Sequence, residues 1–312
     1  MEQTSGRPLK IGVFLPTGEG LMGGASPRWS DIVGMARLAE AVGFDSVWVN
    51  DHLLMRFEGR FTEPRGTWEC WTLMAALAAA TSRVELGTLV STTTFRNPAL
   101  LAKIIDTIDE ISGGRVIAGL GAGDSEFEHT AFGLPYDHRA SRFEEAIQII
   151  RSLLREGAST FHGRYYQTDQ CELRPRGPRP GGPPILIGAR PTSPRMLSLA
   201  VRYGDQWNAW LVFGNNHPQE IPPLRTAVDA ACRATGRDPA TLERTITVQV
   251  DFSDRGGRPR RPELLWGSPE ELAAAFRAFA AEGISHLQIV PRPSTAAVIE
   301  ALAPALAALD RG

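Results

Sequence analysis

Three consecutive polar residues, Asn50, Asp51 and His52, follow an apolar segment and are the residues of this chain best suited to chemistry. A carboxylate beside an imidazole can hold and deliver a proton, because an imidazole titrates close to neutral pH. The alternative is that Asp51 caps a turn and His52 is an ordinary loop histidine. From their chemistry, His52 and Asp51 are our catalytic candidates.

Two glycine-containing turns are candidates for binding an anion. They are Gly121-Ala122-Gly123-Asp124 and Gly188-Ala189-Arg190, and each follows an apolar segment. Backbone N–H groups at such turns can hold a phosphate, although many Gly-x-Gly segments are only tight turns. Neither turn matches the complete dinucleotide fingerprint, which has a third glycine and a distal acid. Residues 91–94, all Ser or Thr, add hydroxyl groups after another apolar segment.

The segment before His52 has the pattern of a strand that is buried on both faces. Residues 44–49 are mostly apolar and follow Gly43, a residue type that commonly ends helices. Such a strand delivers the polar residues behind it to the carboxyl end of a parallel sheet. That end is where α/β proteins place their active sites.

Strand-like and helix-like segments alternate along the chain. The apolar segments are residues 9–16, 44–49, 84–90, 116–120, 184–189, 206–211, 245–251 and 286–290. Eight strand-helix units predict an α/β protein with a (β/α)8 TIM barrel rather than a doubly wound sheet. We expect one domain over residues 1–312, with insertion loops at 157–184 and 253–262 after the fourth and seventh units. A short strand is predicted at 164–167 within the first of these loops.

The composition argues against several classes of protein. The 312 residues are 43% hydrophobic and carry a net charge of −2, so no basic field for nucleic acid is expected. No apolar run approaches the roughly 18 residues of a membrane span, and the first residues lack the apolar core of an export signal. A cytoplasmic location is therefore expected. The three cysteines lie far apart in the sequence, and we predict no disulfide framework and no metal site.

A series of motifs runs through the first two thirds of the chain. They are GFDSVWVNDH (43–52), AALAAATSRVELG (75–87), FRNPALLAK (95–103), SGGRVIAGLGAG (112–123), FGLP (132–135), RFEEA (142–146), PILIG (184–188) and GDQWN (204–208). In this order the chain resembles the bacterial luciferase-like flavin and deazaflavin oxidoreductases, over about residues 9–210. The resemblance implies a TIM barrel, in agreement with the count of units, and a homodimer.

The resemblance also implies roles for the residues after the second and third strands. It places His52 near the reactive carbon of the cofactor ring, as proton donor or acceptor for the substrate. Asp51 would orient His52 or hold the cofactor. A non-prolyl cis peptide bond at about Leu89-Val90 would back the ring, and Thr92 would touch the ring edge.

The same resemblance assigns the residues after the fourth and fifth strands to the cofactor. The expected contacts are Gly121, Gly123 and Asp124 after the fourth strand, and Gly188, Ala189 and Arg190 at the cofactor phosphate. This chain departs from the Gly-Gly or Ala-Gly-Gly that is common in the family after the fifth strand. Its Arg190 supplies a positive charge there.

The cofactor implied by the resemblance is coenzyme F420 or FMN. The Asp-His ending, the Gly-Ala-Gly-Asp turn and an arginine-rich, lysine-poor composition favour F420. F420 has carbon where the flavin ring reacts with oxygen, so it transfers hydride, whereas reduced FMN usually supports monooxygenation. We therefore predict an oxidoreductase that transfers a hydride between F420 and an unidentified small organic substrate. The alternatives are an FMN-dependent monooxygenase and a non-catalytic cofactor-binding protein.

Overall fold

Eight parallel strands form a closed barrel in the part of the chain that the structure describes. The computed structural model describes residues 6–56, 63–252 and 261–311. The barrel strands are β1 (Lys10–Phe14), β2 (Ser46–Val49), β3 (Glu85–Thr88), β4 (Val116–Gly121), β5 (Ile185–Gly188), β6 (Gln206–Trp210), β7 (Glu243–Asp251) and β8 (His286–Arg292). Each strand pairs with the next, and β8 pairs with β1, so the sheet closes. The predicted (β/α)8 barrel is confirmed.

Helices follow the strands and cover the barrel. They are α1 (Trp29–Val42), α2 (Cys70–Ala80), α3 (Pro98–Ser112), α4 (Glu126–Ala131), α5 (Arg139–Glu156), α6 (Pro194–Tyr203), α7 (Ile221–Ala234), α8 (Pro269–Ala281) and α9 (Ala296–Asp310). Short 3-10 helices occur at Thr93–Phe95, Pro218–Glu220 and Pro239–Thr241. The Ser268 side chain accepts the Glu271 N–H at the start of α8. None of the described helices has the length and apolar character needed to cross a bilayer.

Trp48 fills the barrel interior, and a glycine on the neighbouring strand makes room for it. A Cβ atom on Gly87 would lie 2.2 Å from the Trp48 ring, so no larger residue fits there without movement. The indole N–H donates to Ser46 Oγ at 2.7 Å, and Ser46 Oγ lies 2.7 Å from His286 Nε2. Burial lowers the pKa of His286 to about 3, so this ring is neutral. The Trp48 ring and the contact between Ser46 and His286 thus lie within a packed barrel interior.

The chain after β3 takes an irregular path that shapes the barrel mouth. β3 ends at Thr88. The peptide bond between Leu89 and Val90 is cis, as the resemblance implied. Ser91–Thr92 then pairs with β4. The Val90 side chain lies between the ends of β4 and β5, since a Cβ atom on Gly121 or Gly188 would lie 2.5 or 3.3 Å from it. These two glycines make room for Val90.

The first insertion contains a hairpin, in which Ala158–His162 pairs with Gln167–Glu172. The predicted strand at 164–167 was wrong, because residues 164–166 form the turn of this hairpin. Their backbone N–H groups donate to the Glu145 carboxylate on α5 at 2.8 to 3.0 Å, which fixes them as a turn. The Glu145 side chain therefore accepts the backbone hydrogen bonds that a neighbouring strand would accept in a sheet.

One segment outside the barrel was not predicted, and another lies mostly outside the described residues. A pair of short strands, Leu54–Met55 and Arg65–Gly66, follows β2, and no pattern had predicted it. The predicted insertion at 253–262 lies outside the described residues except for Arg261 and Pro262.

Candidate active site

A cavity of about 1500 Å³ lies at the carboxyl ends of the barrel strands. All of the site residues predicted from the sequence line it: Asp51, His52, Leu89, Val90, Thr92, Gly121, Gly123, Asp124, Gly188, Ala189 and Arg190. Its volume exceeds the roughly 300 to 1,000 Å³ that is usual for a single small-molecule site. The cavity therefore has room for a cofactor and a substrate together.

The imidazole of His52 is held by a buried glutamate. His52 Nδ1 donates to Glu128 Oε1 at 2.7 Å, and the other carboxylate oxygen accepts the Leu53 N–H at 3.0 Å. The Glu128 side chain is only 1% exposed, whereas the His52 side chain is 22% exposed and lies in the cavity wall. One edge of the imidazole is thus fixed by the protein.

Sequence reasoning did not select Glu128. Glu126 and Glu128 both lie on the short helix α4, and α4 is too short for its spacing to show which one faces the barrel. The structure shows that Glu126 is exposed and Glu128 is buried. The carboxylate that accepts the hydrogen bond from His52 thus belongs to α4, the helix that follows β4.

The charges around His52 favour its protonated form. Burial lowers the pKa of His52, but the hydrogen bond and charge of Glu128, with the charges of Asp124 and Asp51, raise the pKa above its ordinary value. His52 therefore holds its proton to a higher pH than a free histidine does. The resulting contribution to stability is fully present below the ordinary pKa and is lost as pH rises through the raised one.

We expect Glu128→Gln to lower the pKa of His52. The substitution removes the charge that contributes most to raising this pKa, while burial continues to lower it. An NMR titration of the His52 ring protons would measure the shift. Glu126→Gln on the exposed side of α4 is the matched control and should leave the titration unchanged. An unchanged titration in Glu128→Gln would show that Glu128 does not set the protonation of His52.

The Asp51 carboxylate turns toward the third strand. It forms a two-point ion pair with the Arg96 guanidinium, at 2.6 and 3.0 Å. It also accepts hydrogen bonds from Ser91 Oγ at 2.7 Å and from the Thr92 N–H at 3.1 Å. Asp51 therefore fixes the segment that follows the cis peptide bond, whereas Glu128 provides the hydrogen bond to His52 Nδ1.

The turn after β4 forms the wall beside Thr92. Gly123 has a φ of 76°, in the left-handed region, and a Cβ atom on it would lie 2.7 Å from Thr92 Cγ2. Arg139 donates a hydrogen bond to the Gly123 carbonyl group. Asp124 follows and is exposed to the cavity. Glycine at position 123 thus serves both the turn and its close approach to the third strand.

The polar backbone groups of Ala189 both form hydrogen bonds within the barrel. The Ala189 N–H donates to the Asn208 carbonyl group at 3.1 Å, and the Ala189 carbonyl group accepts the Trp207 indole N–H at 2.8 Å. The expectation that Ala189 contacts the cofactor phosphate stays a prediction, and its N–H already has a partner in the barrel. The groups at this end of the cavity that suit an anion are Arg190 and the hydroxyl residues Thr192 and Ser193.

The charged side chains around the cavity are mainly positive. Among the described residues, the arginines that line it are Arg139, Arg190, Arg261 and Arg292. A flavin or deazaflavin cofactor joins a flat ring system to an anionic chain. The apolar wall at Leu89 and Val90 fits the ring, and the arginines fit the anionic chain.

Two relatives align with a large part of this chain. The chain is 33% identical over 202 residues to 5,10-methylenetetrahydromethanopterin reductase of Archaeoglobus fulgidus, in an alignment that covers 64% of this chain and 54% of that relative. It is 31% identical over 281 residues to F420-dependent glucose-6-phosphate dehydrogenase of Kineococcus radiotolerans. That alignment covers 88% of this chain and 77% of the relative.

A solved structure has the same fold over nearly the whole chain. It is an F420-dependent secondary alcohol dehydrogenase in complex with an F420-acetone adduct, with a TM-score of 0.77 and 22% identity. The superposition covers 96% of this chain and 99% of the other. The model of one protein family, described as luciferase-like monooxygenase, matches residues 9–255. The chain, with its closed barrel and its cavity at the strand ends, belongs to the luciferase-like monooxygenase family.

Proposed function

We propose that this protein is an oxidoreductase that transfers a hydride between coenzyme F420 and a small organic substrate. The observation that carries the proposal is the pair of His52 and Glu128 at the wall of a cavity that Leu89 and Val90 also line. The pair supplies a proton-exchanging group in the same cavity as the apolar wall that suits the cofactor ring. Hydride transfer to or from a carbon–oxygen bond needs such a group, because the oxygen gains or loses a proton.

In this proposal each group has a separate task. His52 Nε2 exchanges the proton with the substrate, while Nδ1 stays bonded to Glu128. Asp51 is a positioning residue, since its carboxylate holds Arg96 and the backbone of Thr92. Bound F420 would supply or accept the hydride. The raised pKa of His52 suits proton donation, which is the direction of carbonyl reduction.

The chemistry of the site supports F420 over FMN. A monooxygenase needs oxygen activation by the reduced flavin, whereas a half-buried histidine with a raised pKa is suited to a substrate that gains a hydride and a proton. The dehydrogenase of Kineococcus radiotolerans uses F420 by its name and aligns with most of this chain. The family description, luciferase-like monooxygenase, keeps the FMN-dependent reaction as the second candidate.

Separate calorimetric titrations with F420 and FMN test the cofactor assignment. We expect F420 to bind at least about tenfold more tightly, a difference of about 1.4 kcal/mol in binding free energy. The absorbance and mass spectra of the retained cofactor would verify which molecule is bound. Tighter binding of FMN would make the monooxygenase the better assignment.

Several expectations about the whole molecule stay predictions. They are a single domain over residues 1–312, a homodimer, a cytoplasmic location, and action on a small molecule rather than on nucleic acid or at a membrane. Light scattering of the purified protein would test the dimer by its mass.

A further inference from the structure

A second buried histidine lies directly after Glu128 on α4. His129 is 0% exposed, and its Nδ1–H donates to the Ser125 carbonyl group at 2.7 Å, since a carbonyl oxygen can only accept. Its Nε2 forms a hydrogen bond of 2.8 Å with the buried Thr94 hydroxyl group. Both ring nitrogens of His129 are therefore bonded within the protein, so this ring is suited to holding other groups rather than to exchanging a proton with a substrate.

The two hydrogen bonds of His129 join two segments of the site. Thr94 belongs to the 3-10 helix Thr93–Phe95, which follows the third strand, whereas Ser125 is the N-cap residue of α4. The Ser125 hydroxyl group also accepts the Glu128 N–H, at 3.3 Å. The His129 ring thus connects the first turn of α4 to the chain behind β3.

The helix α4 depends on such contacts for its position. It has only six residues, and isolated helices shorter than about 12 to 15 residues are marginal in water. Phe95 and Tyr136 pack against the His129 ring, with centroids 4.9 and 5.2 Å away. A Cβ atom on Gly123 would lie 3.0 Å from His129 Cε1, so the turn after β4 also closes on this ring. These contacts hold α4 against both neighbouring segments.

The position of α4 decides where the Glu128 carboxylate lies. That carboxylate accepts hydrogen bonds from His52 Nδ1 at 2.7 Å and from the Leu53 N–H at 3.0 Å. Hydrogen bonds of this kind span about 2.7 to 3.2 Å, so a displacement of α4 by about 1 Å would lose them. The bond between His52 and Glu128 therefore requires that α4 stays in place.

We propose that His129 is a positioning residue, which holds Glu128 against His52 through its hydrogen bond to Thr94. The proposal adds a residue to the proton-exchanging pair, and its consequence for turnover rests on the proposed function. The bond between His52 and Glu128 is present without cofactor or substrate, so the positioning role can be measured on the protein alone.

The charges around the two histidines set the direction of the expected effect. Burial lowers the pKa of His52, and the hydrogen bond and charge of Glu128 raise it more than the charges of Asp124 and Asp51 do. The titratable group that contacts the His129 ring is Tyr136, and the Arg139 guanidinium lies 4.3 Å from the centre of the Tyr136 ring. Movement of Glu128 away from His52 therefore lowers the pKa of His52.

An NMR titration of the His52 ring protons tests the proposal without any ligand. Thr94→Val replaces the hydroxyl group by a methyl group and should lower the pKa of His52 by at least about 0.5. Thr94→Ser keeps the hydroxyl group and should retain the wild-type titration. Thr168→Val is the matched control, because it removes a buried hydroxyl bond to Ser159 on the hairpin outside the barrel, and it should also leave the titration unchanged.

His129→Phe gives a second measurement at the same contact. It keeps an aromatic ring but removes both hydrogen bonds, and it should lower the pKa of His52 at least as much as Thr94→Val does. An unchanged titration in Thr94→Val would overturn the proposal, and so would an equal shift in Thr168→Val. If Thr94→Val does not fold, an unchanged titration in His129→Phe would overturn it.

The pH dependence of carbonyl reduction links the proposal to turnover. Because His52 donates its proton in the proposed reaction, kcat falls as pH rises through the pKa of His52. This fall should occur at lower pH in Thr94→Val than in Thr94→Ser, and identical pH profiles would overturn the proposal. Lack of any oxidation of reduced F420 by the wild type would instead count against the proposed function, and the NMR titration would still decide the role of His129.

Discussion

Replacement of His52 by alanine is expected to lower kcat by about 10²–10⁴-fold, while the affinity for F420 changes much less. A general acid or base contributes about this factor, which corresponds to roughly 3 to 5 kcal/mol of activation free energy. The cofactor should still bind, because its proposed contacts are the Leu89-Val90 wall and the arginines of the cavity. Steady-state kinetics and calorimetry on the same preparation would measure both quantities.

His162→Ala is the control for a general effect of replacing a histidine by alanine. His162 is exposed on the hairpin outside the barrel, so His162→Ala should leave kcat unchanged. Unchanged turnover in His52→Ala would remove His52 from the mechanism. Complete loss of cofactor binding would make His52 a binding or structural residue.

Replacement of Asp51 by asparagine should have the largest effect on stability. The Asp51 side chain is fully buried and the Arg96 side chain is 13% exposed, so the substitution leaves a largely buried guanidinium with only the more exposed Glu69 as its ion-pair partner. Loss of one member of a buried pair costs about 3 to 5 kcal/mol, and Glu69 keeps the expected cost near about 3 kcal/mol. Urea unfolding would measure the difference in the free energy of unfolding.

The same substitution should also weaken cofactor binding. Asp51 holds Ser91 and Thr92, which follow the cis peptide bond at the proposed ring site. Glu144→Gln is the control, because its pair with Arg195 is exposed and should contribute less than about 1 kcal/mol. The double variant Asp51→Asn/Arg96→Met should recover part of the lost stability. Equal stability of Asp51→Asn and wild type would contradict the structural role of the pair.

The positions of the predicted site residues follow from the sequence for a physical reason. In a parallel barrel the residues just after each strand all reach the same end, so a correct set of strands brings Asp51, His52, Asp124 and Arg190 to one cavity. The segments 44–49 and 116–120 are apolar enough to define such strands. Gly43 ends α1 and Pro194 begins α6, which are positions where these residue types commonly occur.

The partners of these residues do not follow from the pattern. Glu128 lies 76 residues from His52, and Arg96 lies 45 residues from Asp51. These contacts depend on how α4 and the chain after β3 pack onto the barrel, which hydrophobic periodicity does not specify.

The most direct test of the proposed function is anaerobic oxidation of reduced F420 by the purified protein, with a panel of small carbonyl compounds as acceptors. The absorbance of oxidised F420 reports the hydride transfer. We expect at least one acceptor to be reduced without oxygen, and the rate to fall by about 10²–10⁴-fold in His52→Ala. Binding of F420 without oxidation by any acceptor would support the non-catalytic alternative, and turnover only with reduced FMN and oxygen would support the monooxygenase. Either result would contradict an F420-dependent hydride transfer.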